Sequence, residues 1–320
     1  MKHAVAVNSG TSALEIALRH YKLRGREVIV PTNTFVATPN SVIFAGGKPV
    51  FSDIRGDTLC IDPEDVEKKI SSRTAGIIVV HVAGLVCPQI GELRKFCEDN
   101  DLFLLEDAAH AHGATIDGEK AGSLGDVGCF SFYSTKVMTT GEGGMITTNN
   151  KELTEAALCM RNHGQDSNRR MVMLGHNWRM GEIAAIMGRH QLSNLEAFVR
   201  KRNEIARLYE RLLADIKEVS LFKTPANIRH SYYKYALKVK DDIDAEELAS
   251  ILKNEYGIET GNIYYPPCHL HPFYRENFRT KEGDVPTSER ILKRVICLPM
   301  HAGLGKKDVE YVSNALHRSF

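Results

Sequence analysis

Lys136 stands in the stretch Gly-Cys-Phe-Ser-Phe-Tyr-Ser-Thr-Lys-Val-Met-Thr-Thr-Gly-Glu-Gly-Gly-Met-Ile, which runs from Gly128 to Ile146 and surrounds one lysine with small and hydroxyl residues. Cys129 to Tyr133 alternates through aromatics as a half-buried strand does, and Met145 to Thr148 reads as a second strand. Gly141, Gly143 and Gly144 let the backbone come close to another part of the chain between them. The lysine is therefore expected in a loop between two strands, near the middle of the molecule. Partial desolvation there disfavours the ammonium and lowers its pKa, giving an amine that can form a Schiff base with an aldehyde. A lysine on a mobile glycine-rich loop satisfies the same spacing, so the chemistry needs partners elsewhere.

Two other stretches offer them. Leu102 to Leu105 is an apolar strand that ends in Glu106-Asp107-Ala108-Ala109-His110-Ala111-His112-Gly113. Two carboxylates and two imidazoles at a buried strand end are costly unless something pairs with them. The partner is a cationic ligand, a metal held by Asp107, His110 and His112, or a structural salt bridge. Near the N-terminus, Ser9-Gly10-Thr11-Ser12 opens an amphipathic helix over Ala13 to Tyr21. Free N–H groups and the helix dipole favour an anion at such a turn, and the Thr11 hydroxyl adds a donor, while a plain N-cap by Ser9 or Thr11 explains the same residues.

The elements that must position these groups follow a βα rhythm. Strands are expected at Ala4 to Val7, Glu27 to Val30, Pro49 to Asp53 and Gly76 to His81, and helices at Val36 to Ala45, from Asp62-Pro63, at Gln89 to Asn100 and at Asn150 to Arg161. Such a rhythm implies an α/β fold with a mostly parallel sheet and a ligand crevice at the strands' carboxyl ends. Phe35 falls at one of those ends, as core or as a platform for a ligand. A long helix from Glu182 to Leu213 bridges to a smaller α/β lobe with a strand at Tyr232 to Val239 and helices at Ala245 to Tyr256 and Lys306 to Arg318. The expected division is a large domain over 1–195 and a small C-terminal domain over 196–320. A proline-stiffened loop, Tyr264 to Pro272, lies between the strand and the last helix, either over a site or simply on the surface.

Composition narrows the partners. Over 320 residues, 43% are hydrophobic, enough for a real core, and 41 basic against 40 acidic residues leave a net charge of +1. That balance provides no field for nucleic acid or an anionic membrane, which leaves small molecules. Seven scattered cysteines with no C-x-x-C pair imply a reducing, cytoplasmic compartment. The N-terminal apolar run is too short for a signal peptide, and no apolar stretch approaches a membrane span.

Ser-Phe-Tyr-Ser-Thr-Lys at 131–136 followed by Gly-Glu-Gly-Gly at 141–144 resembles the Schiff-base segment of the DegT/StrS family of pyridoxal-phosphate-dependent sugar aminotransferases. Glu106-Asp107-Ala108-Ala109-His110, Thr34-Phe35-Val36-Ala37-Thr38 and Gly175-His176-Asn177-Trp178-Arg179 match further segments of the family in the expected order. The resemblance implies an aspartate aminotransferase-like fold of type I and pyridoxal 5'-phosphate bound on Lys136. It gives Asp107 to the cofactor's ring nitrogen, Phe35 to stacking and His110 to a position close to the ring. Thr11, Ser12 and Ser131 go to the phosphate, and Asn177 to the phosphate of the neighbouring subunit in a homodimer with shared sites. It leaves Glu106 and His112 structural. The implied reaction moves an amino group from glutamate to a keto sugar carried on a nucleotide.

Two departures qualify the resemblance. Family members usually carry a further N-terminal helical segment before the stretch matching Lys2-His3-Ala4-Val5, and Ala83 stands where the family often has tyrosine. Three rival functions follow from the same residues. A dehydratase on this scaffold would replace the lysine with histidine, and a Cys/His hydrolase lacks a cysteine beside a matched base. A non-catalytic sensor that binds cofactor or sugar would show no turnover with glutamate.

Overall fold

The computed structural model describes residues 1–320. Strands and helices alternate through β1 (His3–Val7), α1 (Gly10–His20), β2 (Glu27–Pro31), α2 (Ala37–Phe44), β3 (Lys48–Ser52), α3 (Pro63–Lys69), β4 (Thr74–Val80), α4 (Ile90–Asp99) and β5 (Phe103–Asp107). A short ribbon, β6 (Thr115–Ile116) and β7 (Glu119–Lys120), precedes β8 (Val127–Ser131), β9 (Gly144–Thr148) and α5 (Lys151–Met160). The large sheet has the order β1-β9-β8-β5-β4-β2-β3. Its strands are parallel except β9, which runs against both of its neighbours.

Every residue of β2, β4 and β5 is buried, as strands covered on both faces must be. One face packs Leu14, Leu18, Val42 and Leu153 of α1, α2 and α5 onto Val28, Val30, Leu105 and Ile146. The other packs Ile90, Leu93 and Cys97 of α4 onto Ile29, Ile77, Val79 and Leu104. Local chemistry fixes where the helices begin. Ser9 is extended and its hydroxyl accepts the Ser12 N–H at the start of α1, and Asp62 caps α3 with Pro63 in the first turn.

Beyond α5 come α6 (Glu182–Leu212), β10 (Val219–Leu221), β11 (Ile228–Arg229), β12 (Tyr235–Val239), α7 (Ala245–Tyr256), α8 (Pro272–Phe278), α9 (Pro286–Leu292), β13 (Val295–Leu298) and α10 (Lys306–Arg318). A sheet of order β10-β12-β13 is covered by the second half of α6 with α7 and α10, through Ile205, Tyr209, Leu248 and Val312. Cys268 and Tyr274, far along the chain, join the core of the large sheet.

Some boundaries differ from the sequence reading. β8 stops at Ser131, not Tyr133, because the chain turns there: the Phe132 N–H donates to Gly143 O, and Thr140 returns a bond to Phe132 O. β12 starts at Tyr235, not Tyr232, since Tyr232 has φ +48° and the residues around it bond to the turn after β4. Within the stretch read as a loop, Pro272 starts a helical turn of seven residues, its fixed φ suiting the first helical position.

Candidate active site

A cavity of about 430 Å³ opens at the carboxyl ends of β4, β5 and β8, where Val80, Asp107 and Cys129 lie side by side in register. Six of the eight site residues expected from sequence line it: Thr11, Phe35, Asp107, His110, Ser131 and Lys136. Ser12 and Asn177 are not in its walls. The Ser12 hydroxyl turns inward to Asn8 Oδ1 at 2.6 Å and lies 2.8 Å from Ser9 Oγ, so it works within the cap of α1. Asn177 is exposed and pairs through its backbone with Asn162.

Lys136 is held by the tight turn that follows β8, with its N–H donating to Tyr133 O at 3.0 Å. Its ammonium lies 4.6 Å from the centroid of the Tyr233 ring. Burial pulls its pKa down to about 8; Asp107 works against that shift and Lys234 adds repulsion. The glycines beside it serve close approach. A Cβ on Gly144 would fall 2.2 Å from Ser9 O, and one on Gly10 would fall 2.7 Å from Ser131 Cβ, so the start of α1 packs tightly against both the start of β9 and the end of β8.

Asp107 is buried, with Oδ2 accepting from Thr38 Oγ1 at 2.7 Å and Oδ1 from the Ala109 N–H at 3.2 Å. Thr38 is itself bonded to Thr34 at 2.7 Å. Burial raises the Asp107 carboxyl, and Thr38, Ala109 and Lys136 oppose that rise. Glu106, its neighbour, is turned away from the cavity. It accepts from His81 Nε2 at 2.9 Å and from the N–H groups of Gly122, Leu124 and Gly125 at 2.6–2.7 Å. Cys87 N–H donates to His81 Nδ1, which assigns the ring proton to Nε2. Glu106 is structural, as the resemblance implied.

His110 stacks on Tyr233 at 4.3 Å, its Nε2 sits 2.8 Å from the Tyr264 hydroxyl, and its Nδ1 is buried without a partner. Burial holds its imidazole well below the usual histidine range, with Lys136 and Lys234 adding repulsion. His112 lies between Phe130 and Phe132, out of the cavity, with burial pulling it down to about 3. Asp107, His110 and His112 do not converge, and no three His, Cys, Asp or Glu side chains form a metal-binding group.

Residues 1–317 match the DegT/DnrJ/EryC1/StrS aminotransferase family. The chain belongs to this family. It is 36% identical to the spore coat polysaccharide biosynthesis protein SpsC of Bacillus subtilis (strain 168), over 98% of this chain and 85% of that one. It is 33% identical to the GDP-perosamine synthase of Vibrio cholerae, over 100% of this chain and 86% of the other. Among solved structures it is similar to Helicobacter pylori PseC, an aminotransferase involved in the biosynthesis of pseudoaminic acid, with a TM-score of 0.94, 29% identity and coverage of 100% and 87%. The protein is a pyridoxal-phosphate-dependent aminotransferase with the family's α/β fold.

The residues present fit that cofactor. A buried carboxylate, Asp107, faces the cavity from a strand end, where its burial disfavours charge until a cation arrives. A desolvated amine, Lys136, shares the same walls. Ser9, Gly10 and Thr11 line the cavity, which presents the N-terminus of α1 to an anion there.

Tyr233, Lys234 and Tyr264 are site residues that the sequence does not announce. They enter from the chain beyond α6, and only the aromatic character of the 264–272 loop points toward any of them. Thr34 and Thr38 lie inside a matching motif, yet nothing in their spacing signals the chain of hydroxyls that ends on Asp107.

Proposed function

We propose that the enzyme moves the amino group of glutamate to a keto sugar carried on a nucleotide, with Lys136 and Asp107 as the catalytic pair. The carrying observation is that this amine and this carboxylate face one cavity, where each alters the other's ionisation. Bound pyridoxal phosphate supplies an electron sink for charge at the substrate carbon and carries the amino group between the half-reactions. Asp107 would hold a proton on the cofactor's ring nitrogen, and Thr38, itself bonded to Thr34, holds Asp107. Lys136 Nζ would hold the resting cofactor and, once freed, would move the proton between the substrate carbon and the cofactor within each half-reaction, as general base and then acid. Phe35 covers the ring and His110 lies close to it. Thr11 and Ser131 secure the phosphate at the start of α1, with Ser12 holding the helix cap beneath them. In this reading the large domain over 1–195 carries the cofactor and the small domain over 196–320 supplies Tyr233, Lys234 and Tyr264.

Relatives named for GDP-linked and dTDP-linked sugars support a nucleotide-linked acceptor. The active unit in this reading is a homodimer, with Asn177 serving the neighbouring subunit's phosphate. Supporting it, the large apolar side chains of Met171, Leu174, Ile183, Ile186 and Leu192 are exposed in the segments that precede and follow Asn177 along the chain. We place the enzyme in the cytoplasm: all seven cysteines are free, and no helix is long and apolar enough to cross a membrane.

The test is spectroscopic. Glutamate should convert the loaded enzyme to its pyridoxamine form, and one member of a panel of keto-sugar nucleotides should restore the original spectrum. A protein that binds the cofactor but ignores glutamate is a non-catalytic binder. For the shared site, Lys136→Ala and Asn177→Asp homodimers should be inactive, and a refolded equal mixture should recover about a quarter of wild-type activity, from half the dimers and half their sites. Absence of recovery in proven hybrids contradicts it.

A further inference from the structure

We infer that Lys234 receives the α-carboxylate of the amino donor, pairing its ammonium with the acid group one bond from the carbon that bears the amine. The inference rests on the transamination reading above and names where the donor's negative charge sits. Lys136 and Lys234 are the only ammonium or guanidinium groups in the cavity walls. Lys136 must give up its charge to act as a base, so it cannot also hold an anion. Lys234 keeps donors to spare. One N–H goes to Asn262 O, the Tyr264 ring lies 5.6 Å away, and no carboxylate pairs with it.

Backbone contacts fix its position. The Lys234 N–H donates to Ala83 O at 3.1 Å, the Ser231 N–H to Gly84 O at 3.0 Å, and Ser231 Oγ to His110 O at 2.9 Å. This staple ties the segment before β12 to the turn after β4 and to the site itself. Lys234 is near enough that its charge adds to the repulsion that lowers both Lys136 and His110. Chemistry favours a carboxylate over a substrate phosphate at that range. In an amino acid the carboxylate is bonded to the reacting carbon, whereas in a nucleotide sugar the sugar ring separates the diphosphate from a ring ketone.

The experiment titrates the loaded enzyme with α-methylglutamate, which has no α-proton to lose, by calorimetry. Lys234→Met should weaken binding about tenfold or more, Lys234→Arg should stay within about threefold of wild type, and KM for the keto-sugar nucleotide should change by less than about twofold. If Lys234→Met loses the native circular dichroism spectrum, Lys234→Gln, which keeps a donor for Asn262, gives the same reading. Unchanged α-methylglutamate affinity in a folded variant overturns the inference, as does a loss confined to the nucleotide sugar, which would assign Lys234 to phosphate. A wild-type protein that takes α-methylglutamate through Lys234 yet aminates no keto-sugar nucleotide would sink the acceptor assigned above and leave this inference standing.

Discussion

Glu106 and Asp107 are adjacent carboxylates at the end of one buried strand, and they meet opposite surroundings because successive strand residues point to opposite faces. Glu106 is closed: four N–H donors reach its two oxygens, and it is fully buried outside the walls of the active-site cavity. Asp107 is open, with two donors and a face on the cavity. A buried carboxylate that the fold satisfies fully builds structure, by organising the turn from Gly122 to Gly125. One that the fold leaves short of donors is disposed toward a cationic ligand. Residue type does not separate the two; the count of donors does.

The sharpest way to break this contrast is to neutralise each acid in turn. Asp107→Asn should slow the glutamate half-reaction by about three orders of magnitude, roughly 4 kcal/mol of barrier, while thermal stability stays the same or rises. Near-normal single-turnover rates would move Asp107 to the structural side. Glu106→Gln should do the reverse. Breaking a buried, hydrogen-bonded charge should cost about 3 kcal/mol of stability in denaturant titrations, with the half-reaction of the folded protein within about threefold of wild type. A stable but inactive Glu106→Gln would erase the distinction.

A smaller effect tests the support of the open side. Thr38→Val removes the hydroxyl that donates to Asp107 Oδ2 and should slow the half-reaction about tenfold, in line with a lost hydrogen bond to a charged group of roughly 1.5 kcal/mol. An unchanged rate would show that Thr38 only fills space.

Stretches with dense local chemistry are legible in the sequence alone. Lys136, Asp107 and the Ser9 to Thr11 turn each lie in a short segment whose strand, loop or helix context can be read from its own residues. Lys234 and Tyr264 are not legible in this way, because their position depends on long-range contacts: the staple from Ser231 to Gly84 joins residues 147 apart. Ser12 shows the opposite limit. The resemblance gives it to the phosphate with Thr11, but on a helix one residue is a turn of about 100°, and its hydroxyl faces Asn8. Strand ends shift by two or three residues where turn bonds, invisible in the alternation pattern, take over from the ladder.

The mildest prediction concerns pH. The neutral amine of Lys136 is the nucleophile, so the rate at which the cofactor-free protein takes up pyridoxal phosphate should rise with pH through about 8. The Asp107 charge favours the ammonium, so Asp107→Asn should move that midpoint down. A midpoint near the ordinary lysine value, or an upward shift, would contradict the burial and pairing described for the site.

Lys136 is the residue proposed to carry the cofactor. Borohydride reduction of the loaded enzyme, followed by peptide mapping, should place the pyridoxyl group on the peptide containing Lys136, and Lys136→Ala should fold normally and carry none. A pyridoxyl group on Lys234 or any other lysine of the wild-type protein would contradict it.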